Sequence, residues 1–296
     1  MTPTHPVWLV TGAGGMLGRD VLAALAAAGD TAIGLDRRAL DITDPDAVAG
    51  AVAEYRPVVV VNCAAWTAVD DAETHESDAL RINGDGVRYV AEACADAEAA
   101  MLHVSTDYVF PGTATLPYGE DDPTDPINAY GRTKLAGETA VRATLPASGY
   151  VIRTAWLYGA GGPNFVRTMI GLERTRDTID VVDDQRGQPT WTADLADHLV
   201  RLGRAAVTGT APAGVYHGTS SGEATWFDLA RETFRLVGAD PDRVRPTTSA
   251  AFVRPAARPT FSVLGHGRWG QAGVAPIRDW RTALAKAIPT MVVQAG

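Results

Sequence analysis

The chain has 296 residues, 46% of them hydrophobic, and carries 26 Lys+Arg against 35 Asp+Glu for a formal charge of −9. That is enough apolar material for a sizeable core, and the length suggests about two domains of ~150 residues each. An acidic balance argues against nucleic-acid binding, which needs Lys and Arg at phosphates, and no apolar run approaches the ~18 residues of a membrane span.

Met1 to Pro6 lack a basic region leading into a long apolar one, so no secretory leader is read and a cytoplasmic protein is expected. Val7-Trp8-Leu9-Val10 reads as a strand, Met16 to Ala28 as a helix ending at Gly29, and Thr31 to Leu35 as the next strand. Asp46 to Tyr55 (helix), Val58 to Val61 (strand), Ser77 to Ala97 (helix) and Met101 to Ser105 (strand) continue the alternation. The unbroken Val58 to Val61 run fits a strand covered on both faces, so a Rossmann-type doubly wound parallel sheet is the expected α/β fold. Phe110 to Asn128, with four prolines, reads as a long functional loop before a helix from Ala129 to Arg142 and a strand from Tyr150 to Thr154. Beyond it, Asn164 to Arg174 and Thr225 to Val237 look helical, Gly214 to His217 looks like a strand, and Pro246 to Pro259 looks irregular. Residues 1–154 therefore read as a dinucleotide-binding domain, with segments near 181–217 returning to it. Residues 155–296 read as a mainly substrate-binding α/β domain, interleaved with the first. Cys63 and Cys94 lie in apolar stretches without metal-ligand spacing, so two buried free thiols and no metal site are expected.

The first strand runs straight into Thr11-Gly12-Ala13-Gly14-Gly15-Met16-Leu17-Gly18. Gly12 and Gly15 make a tight turn that lets backbone approach a pyrophosphate, while Met16 and Leu17 open a helix whose free N–H groups and dipole favour an anion. Asp36 closes the next strand, where a carboxylate can accept from an adenosine ribose hydroxyl. It favours NADH, whereas Arg37 and Arg38 beside it could balance the extra phosphate of NADPH; the choice stays open.

Tyr130-Gly131-Arg132-Thr133-Lys134 places a phenol and an amine four apart, on one helical face. A free phenol titrates near ~10, and a neighbouring ammonium is expected to lower that value toward acid–base use. Ser105-Thr106-Asp107 ends the preceding strand, so hydroxyls sit at the C-terminal sheet edge where open α/β sheets bind ligands.

Together these segments resemble the extended short-chain dehydrogenase/reductase family, and more finely its dTDP-4-dehydrorhamnose reductase branch. The resemblance is carried by Val61 to Asp70, Ser105 to Phe110, Tyr130 to Glu138, Arg153 to Gly159, Asp184 to Thr190, Gly214 to His217 with Thr225-Trp226, and Arg258-Pro259. It implies reduction, by NADPH or NADH, of the C4 ketone of a dTDP-linked 4-keto-6-deoxyhexose, with 4-dehydrorhamnose converted to rhamnose as the leading case. Tyr130 would protonate the C4 oxygen, Lys134 would tune the phenol and bind the nicotinamide ribose, and Thr106 would share the developing alkoxide charge. Thr106, Asp107, Tyr130 and Trp156 would contact the sugar, and Arg258 the diphosphate end. The cofactor would also meet Asp41-Ile42, Ala65-Trp66-Thr67 and the Val104 backbone. The resemblance also leaves a homodimer open. A 4-ketoreductase of another nucleotide deoxysugar is the near alternative. A non-catalytic subunit akin to the beta subunit of methionine adenosyltransferase is the distant one, disfavoured because Thr106, Tyr130 and Lys134 are all present. Departures from the branch pattern fall at Phe261 and Gly265, in the substrate half.

Overall fold

The computed structural model describes residues 6–292, so the reading of the extreme N-terminus as leaderless lies outside the described residues apart from Pro6. Six strands, β1 (Val7–Thr11), β2 (Thr31–Leu35), β3 (Val59–Asn62), β4 (Ala100–Thr106), β5 (Gly149–Thr154) and β6 (Gly214–His217), form one wholly parallel sheet in the order β6-β5-β4-β3-β1-β2. After β1 the chain goes to one side for β2 and crosses to the other for β3. This reversal opens a crevice beyond Thr11 and Asn62, at the carboxyl ends of the strands.

Val59, Val60 and Val61 have no exposed surface because helices cover both faces of the sheet. On one face lie α1 (Met16–Ala27) and α6 (Thr192–Val207), whose Leu17, Val21, Leu25, Leu195 and Leu199 pack with Trp8 and Val10. On the other lie α2 (Pro45–Tyr55), α3 (Val87–Asp96) and α4 (Ala129–Thr144), whose Val48, Val52, Val90 and Val141 meet Leu9 and Val60. Local signals set the helix starts. Asp44 accepts from the Asp46 and Ala47 amides ahead of Pro45, and Asn128 accepts from the Gly131 amide at the head of α4.

Three further helices, α5 (Phe165–Glu173), α7 (Trp226–Leu236) and α8 (Trp280–Val292), build a smaller cluster around Tyr158, Leu229, Trp280 and Leu284. No helix among the described residues is long and apolar enough to cross a membrane.

Three stretches differ from the sequence reading. The single helix expected over Ser77 to Ala97 is broken into a short helix at Glu76–Leu80, a π-turn at Arg81–Gly86, and α3. The wide turn lets Asn83 reach back to the Trp66 backbone, a bond a regular helix would not direct there. Helices α6 and α8 were not anticipated. The Pro246–Pro259 region is irregular as expected, apart from a 3-10 turn at Ser249–Ala251 and from Pro246 and Thr247, which end a strand Val244–Thr247 paired in parallel with Ile179–Val182.

Candidate active site

The crevice begins at the glycine turn. Gly12 has φ +64°, and a β-carbon there would stand 2.6 Å from the Ala64 backbone nitrogen, so the turn and the segment after β3 touch main chain to main chain. Helix α1 then starts at Gly15 with no side-chain cap and no acidic residue in its first turn. A bare, electropositive helix start beside a glycine cradle fits a dinucleotide diphosphate. Asp36 lies against this turn, its β-carbon 3.3 Å from where a Gly14 β-carbon would stand. Its Oδ1 accepts from the Arg38 and Ala39 amides at 2.9 and 3.1 Å, which fixes the carboxylate at the strand end where a ribose hydroxyl would meet it.

Not every residue of the expected cofactor set offers its side chain. Leu17 and Ile42 are core residues, so only their main chain is available to a ligand. Asp41 spends Oδ1 on the amide and hydroxyl of Thr43, which hold its carboxyl below the usual range. Met16 lies under the 159–164 segment, with its sulfur 3.7 Å from the Asn164 amide. Ala65, Trp66 and Thr67 form the loop after β3. Asn83 clamps that loop by accepting from the Trp66 N–H at 2.9 Å and donating to its carbonyl at 3.1 Å.

Proton-transfer groups gather on β4 and α4. Thr106 ends β4 and its hydroxyl donates to Asp107 Oδ1 at 3.0 Å. It also lies beside the Tyr130 phenol, an influence that favours ionisation. Burial and the nearby Asp107 carboxylate outweigh it and hold the phenol above its ordinary value. The expected lowering by Lys134 is therefore corrected. The amine is drawn along β4 instead, donating to the Val104 carbonyl at 2.7 Å and lying 3.4 Å from His103 Nε2. Lys134 is 1% exposed, and this desolvation pulls it down to about 8. A phenol held protonated at neutral pH is an acid, the form a ketone reduction requires. The helix carrying both groups is anchored one turn further on. Buried Glu138 pairs with Arg153 of β5 at 2.7 Å and accepts from Ser105 Oγ at 2.6 Å.

The opposite rim comes from distant segments. Trp156 stacks on Trp226 at 3.6 Å between centroids with planes 9° apart. Its backbone has φ +46°, a conformation that costs energy for a bulky residue and is held here by packing on Gly187. Arg258 pairs with Asp70 at 3.0 Å and lies 6.0 Å from the Tyr108 ring, which meets Tyr130 edge-on. Asp107 is 2% exposed with Oδ2 unpartnered, and burial raises its carboxyl to about 6 against the lowering influence of the nearby Ser262 and Thr106 hydroxyls. Asn128 joins the two rims: besides capping α4, its amide donates to the Ala257 carbonyl at 2.9 Å. Cys94 is buried as expected, whereas Cys63 is only half-buried as a residue; both thiols are free.

Structure thus brings Thr106, Asp107, Tyr130 and Lys134 together beside the crevice, with Asp70 bridging to Arg258. Asp70, Asn83, His103 and Glu138 escaped the sequence reading as individual site residues. Asp70 and Glu138 carried a local signal, each ending a segment that was quoted for its resemblance.

The RmlD substrate binding domain family matches residues 7–293. The chain belongs to this family. A dTDP-4-dehydrorhamnose reductase of Streptomyces griseus is 60% identical over 99% of this chain and 96% of its own length. A dTDP-4-keto-6-deoxy-D-glucose reductase of Streptomyces niveus is 54% identical over 96% of this chain and 97% of its own. Among solved RmlD-type structures, a dTDP-4-dehydrorhamnose reductase of Bacillus anthracis in complex with NADP is 35% identical, with a TM-score of 0.91 over 97% of this chain and 99% of that one. The Rossmann-type sheet and the oxidoreductase class of this RmlD-family chain rest on that agreement over its full length.

Proposed function

We propose that this protein reduces the C4 ketone of a dTDP-linked 4-keto-6-deoxyhexose, with dTDP-4-dehydrorhamnose as substrate and dTDP-L-rhamnose as product. The observation that carries the reading is a half-buried Tyr130 phenol, held above its ordinary titration range beside Thr106 at the carboxyl edge of the sheet, in a chain 60% identical to a reductase of that name. When bound, NADPH or NADH supplies the hydride. Tyr130 gives its phenolic proton to the C4 oxygen as negative charge develops there, and the Thr106 hydroxyl donates a second hydrogen bond to the same oxygen. Lys134 stands one helical turn behind as the cation that compensates the phenolate. Trp156 supplies an apolar wall for the sugar, and Arg258, released from Asp70, takes the diphosphate. A soluble nucleotide-sugar substrate makes the cytoplasm the site of action in this reading.

Incubating the purified protein with dTDP-4-dehydrorhamnose and NADPH should oxidise the cofactor and give dTDP-L-rhamnose, identified by NMR. No turnover with either cofactor would sink the reading. Tyr130→Phe should lower kcat by about 10²–10⁴-fold, the usual worth of a positioned acid, with cofactor affinity unchanged in a fluorescence titration.

A second reading, reduction of a different dTDP-4-keto-6-deoxy sugar, is favoured by the 54% identity to the S. niveus enzyme and by Phe261 in the substrate half. The same NMR assay run with the 4-keto-6-deoxy-D-glucose substrate separates the two by kcat/KM.

A further inference from the structure

Behind Lys134 runs a string of buried polar groups that the reaction as described does not use. Thr11 Oγ1 lies 2.5 Å from Asn62 Oδ1, Asn62 Nδ2 lies 3.0 Å from His103 Nδ1, and His103 Nε2 lies 3.4 Å from Lys134 Nζ. All four residues are at most 1% exposed, and they come from β1, β3, β4 and α4. The string crosses the sheet at the point where its strand order reverses.

Hydrogen-bond direction gives the string its meaning. With the Thr11 hydroxyl donating to Asn62 and the Asn62 amide donating to Nδ1, the neutral imidazole carries its hydrogen on Nε2, facing Lys134. That arrangement ends on a lone pair, which only the neutral amine has. An ammonium donates instead, to Nε2. The ring then carries its hydrogen on Nδ1, the Asn62 amide turns end for end to accept it, and the Thr11 hydroxyl accepts at the far end. One proton is taken up in total, the one that makes the ammonium. A hydroxyl, an amide and an imidazole all serve in either direction, so neither charge state of the buried lysine leaves this line unpaired.

We propose that His103 is the positioning residue of Lys134, and that the Thr11–Asn62–His103 string reverses direction when the lysine gains or loses its proton. The proposal rests on the reading of Lys134 as partner of the acid Tyr130. The other titratable groups facing the amine are Glu138, one turn along α4 and paired with Arg153, and Cys63 beyond β3. His103 itself is kept neutral, because burial and Lys134 both disfavour its cation. A hydrogen bond made by the ammonium is worth roughly twice one made by the amine, so breaking the string penalises the charged lysine more.

The test uses an unusual economy of the sequence: Lys134 and Lys286 are its only lysines, so ε-¹³C-lysine labelling gives two assignable resonances. In His103→Leu the Lys134 midpoint should fall by about one pH unit or more, the scale of one lost charge-assisted hydrogen bond. The alkaline limb of kcat/KM should move down with it. His103→Gln, whose amide can donate or accept, should restore both. In the wild-type protein, long-range ¹H–¹⁵N spectra should show His103 changing from Nε2–H to Nδ1–H as Lys134 takes up its proton. An unchanged Lys134 midpoint in folded His103→Leu overturns the proposal, as does one fixed tautomer throughout the titration. Should His103→Leu fail to fold, the wild-type tautomer and the glutamine variant decide. Absence of wild-type turnover would remove the functional reading alone, since neither NMR titration depends on it.

Discussion

The two sides of the crevice are built on different principles. The side proposed for the cofactor is a continuous stretch, β1, turn and α1, in which Gly12 presses main chain against main chain and little can move. The side proposed for the substrate is assembled from Asp70, Tyr108, Trp156, Trp226 and Arg258, which meet through an ion pair and stacked rings. A β-carbon at Gly12 would stand 2.6 Å from the Ala64 nitrogen, so that backbone packing tolerates no added atom, whereas side-chain contacts can exchange partners when a ligand arrives. A common cofactor needs the first property; a choice among related sugars needs the second.

Substitutions on the two sides should therefore differ in kind. The largest effect is expected from Gly12→Ala, which puts a methyl group into the Ala64 backbone at a positive φ. It should cost more than about 3 kcal/mol, seen as a lower Tm and a loss of NADPH binding above about 100-fold. A tolerated alanine there would erase the contrast.

Next comes Asp107, whose carboxyl rises from 3.8 to about 6 on folding. Between those values the folded state holds a proton that the unfolded state has lost, so stability falls as pH rises through the window, by at most about 3 kcal/mol. Urea unfolding of Asp107→Asn across pH 4–6 should show that slope removed. Arg258→Ala should raise KM for the nucleotide sugar about tenfold, the loss of one partly exposed phosphate contact, with cofactor affinity unaltered. Isothermal titration with each ligand would separate the two, and equal losses for both would break the division between the rims. The smallest change is expected from Asp36→Asn, a few-fold shift of kcat/KM from NADH toward NADPH as a negative charge near the ribose is lost.

The same contrast explains what the sequence made legible. Residues that act as neighbours in the chain were readable: Gly12 to Gly18, Thr106-Asp107, and Tyr130 with Lys134 on one helical face. The direction taken by the Lys134 amine was not, because His103 and Asn62 reach it from separate strands and share no spacing with it. Asn83 was hidden for a related reason, since the π-turn that aims it interrupts a run that looks helical throughout. Helix α6 is different. Its Leu195, Leu199 and Leu202 keep a helical spacing, and all three are fully buried, so the pattern was present and unread. Helix α8 lacked so clean a stripe, with small alanines at buried positions and Pro289 inside it. Beyond Thr154 the helices near Phe165–Glu173 and Trp226–Leu236 and the strand Gly214–His217 were still readable, but which remote segments pack together was not.

One side chain sets how the two rims communicate. Asn128 holds the first turn of α4 through one end of its amide and the main chain of the 256–258 stretch through the other. Arg258 sits next to that second attachment, and Tyr130 immediately precedes the Gly131 amide that makes the first. If Arg258 takes the diphosphate as proposed, its departure from Asp70 would act on the stretch that Asn128 ties to the helix of the proposed acid. Docking at the far end of the nucleotide sugar and alignment at its ketone would then be mechanically linked, and a fragment lacking the diphosphate would bind without that link.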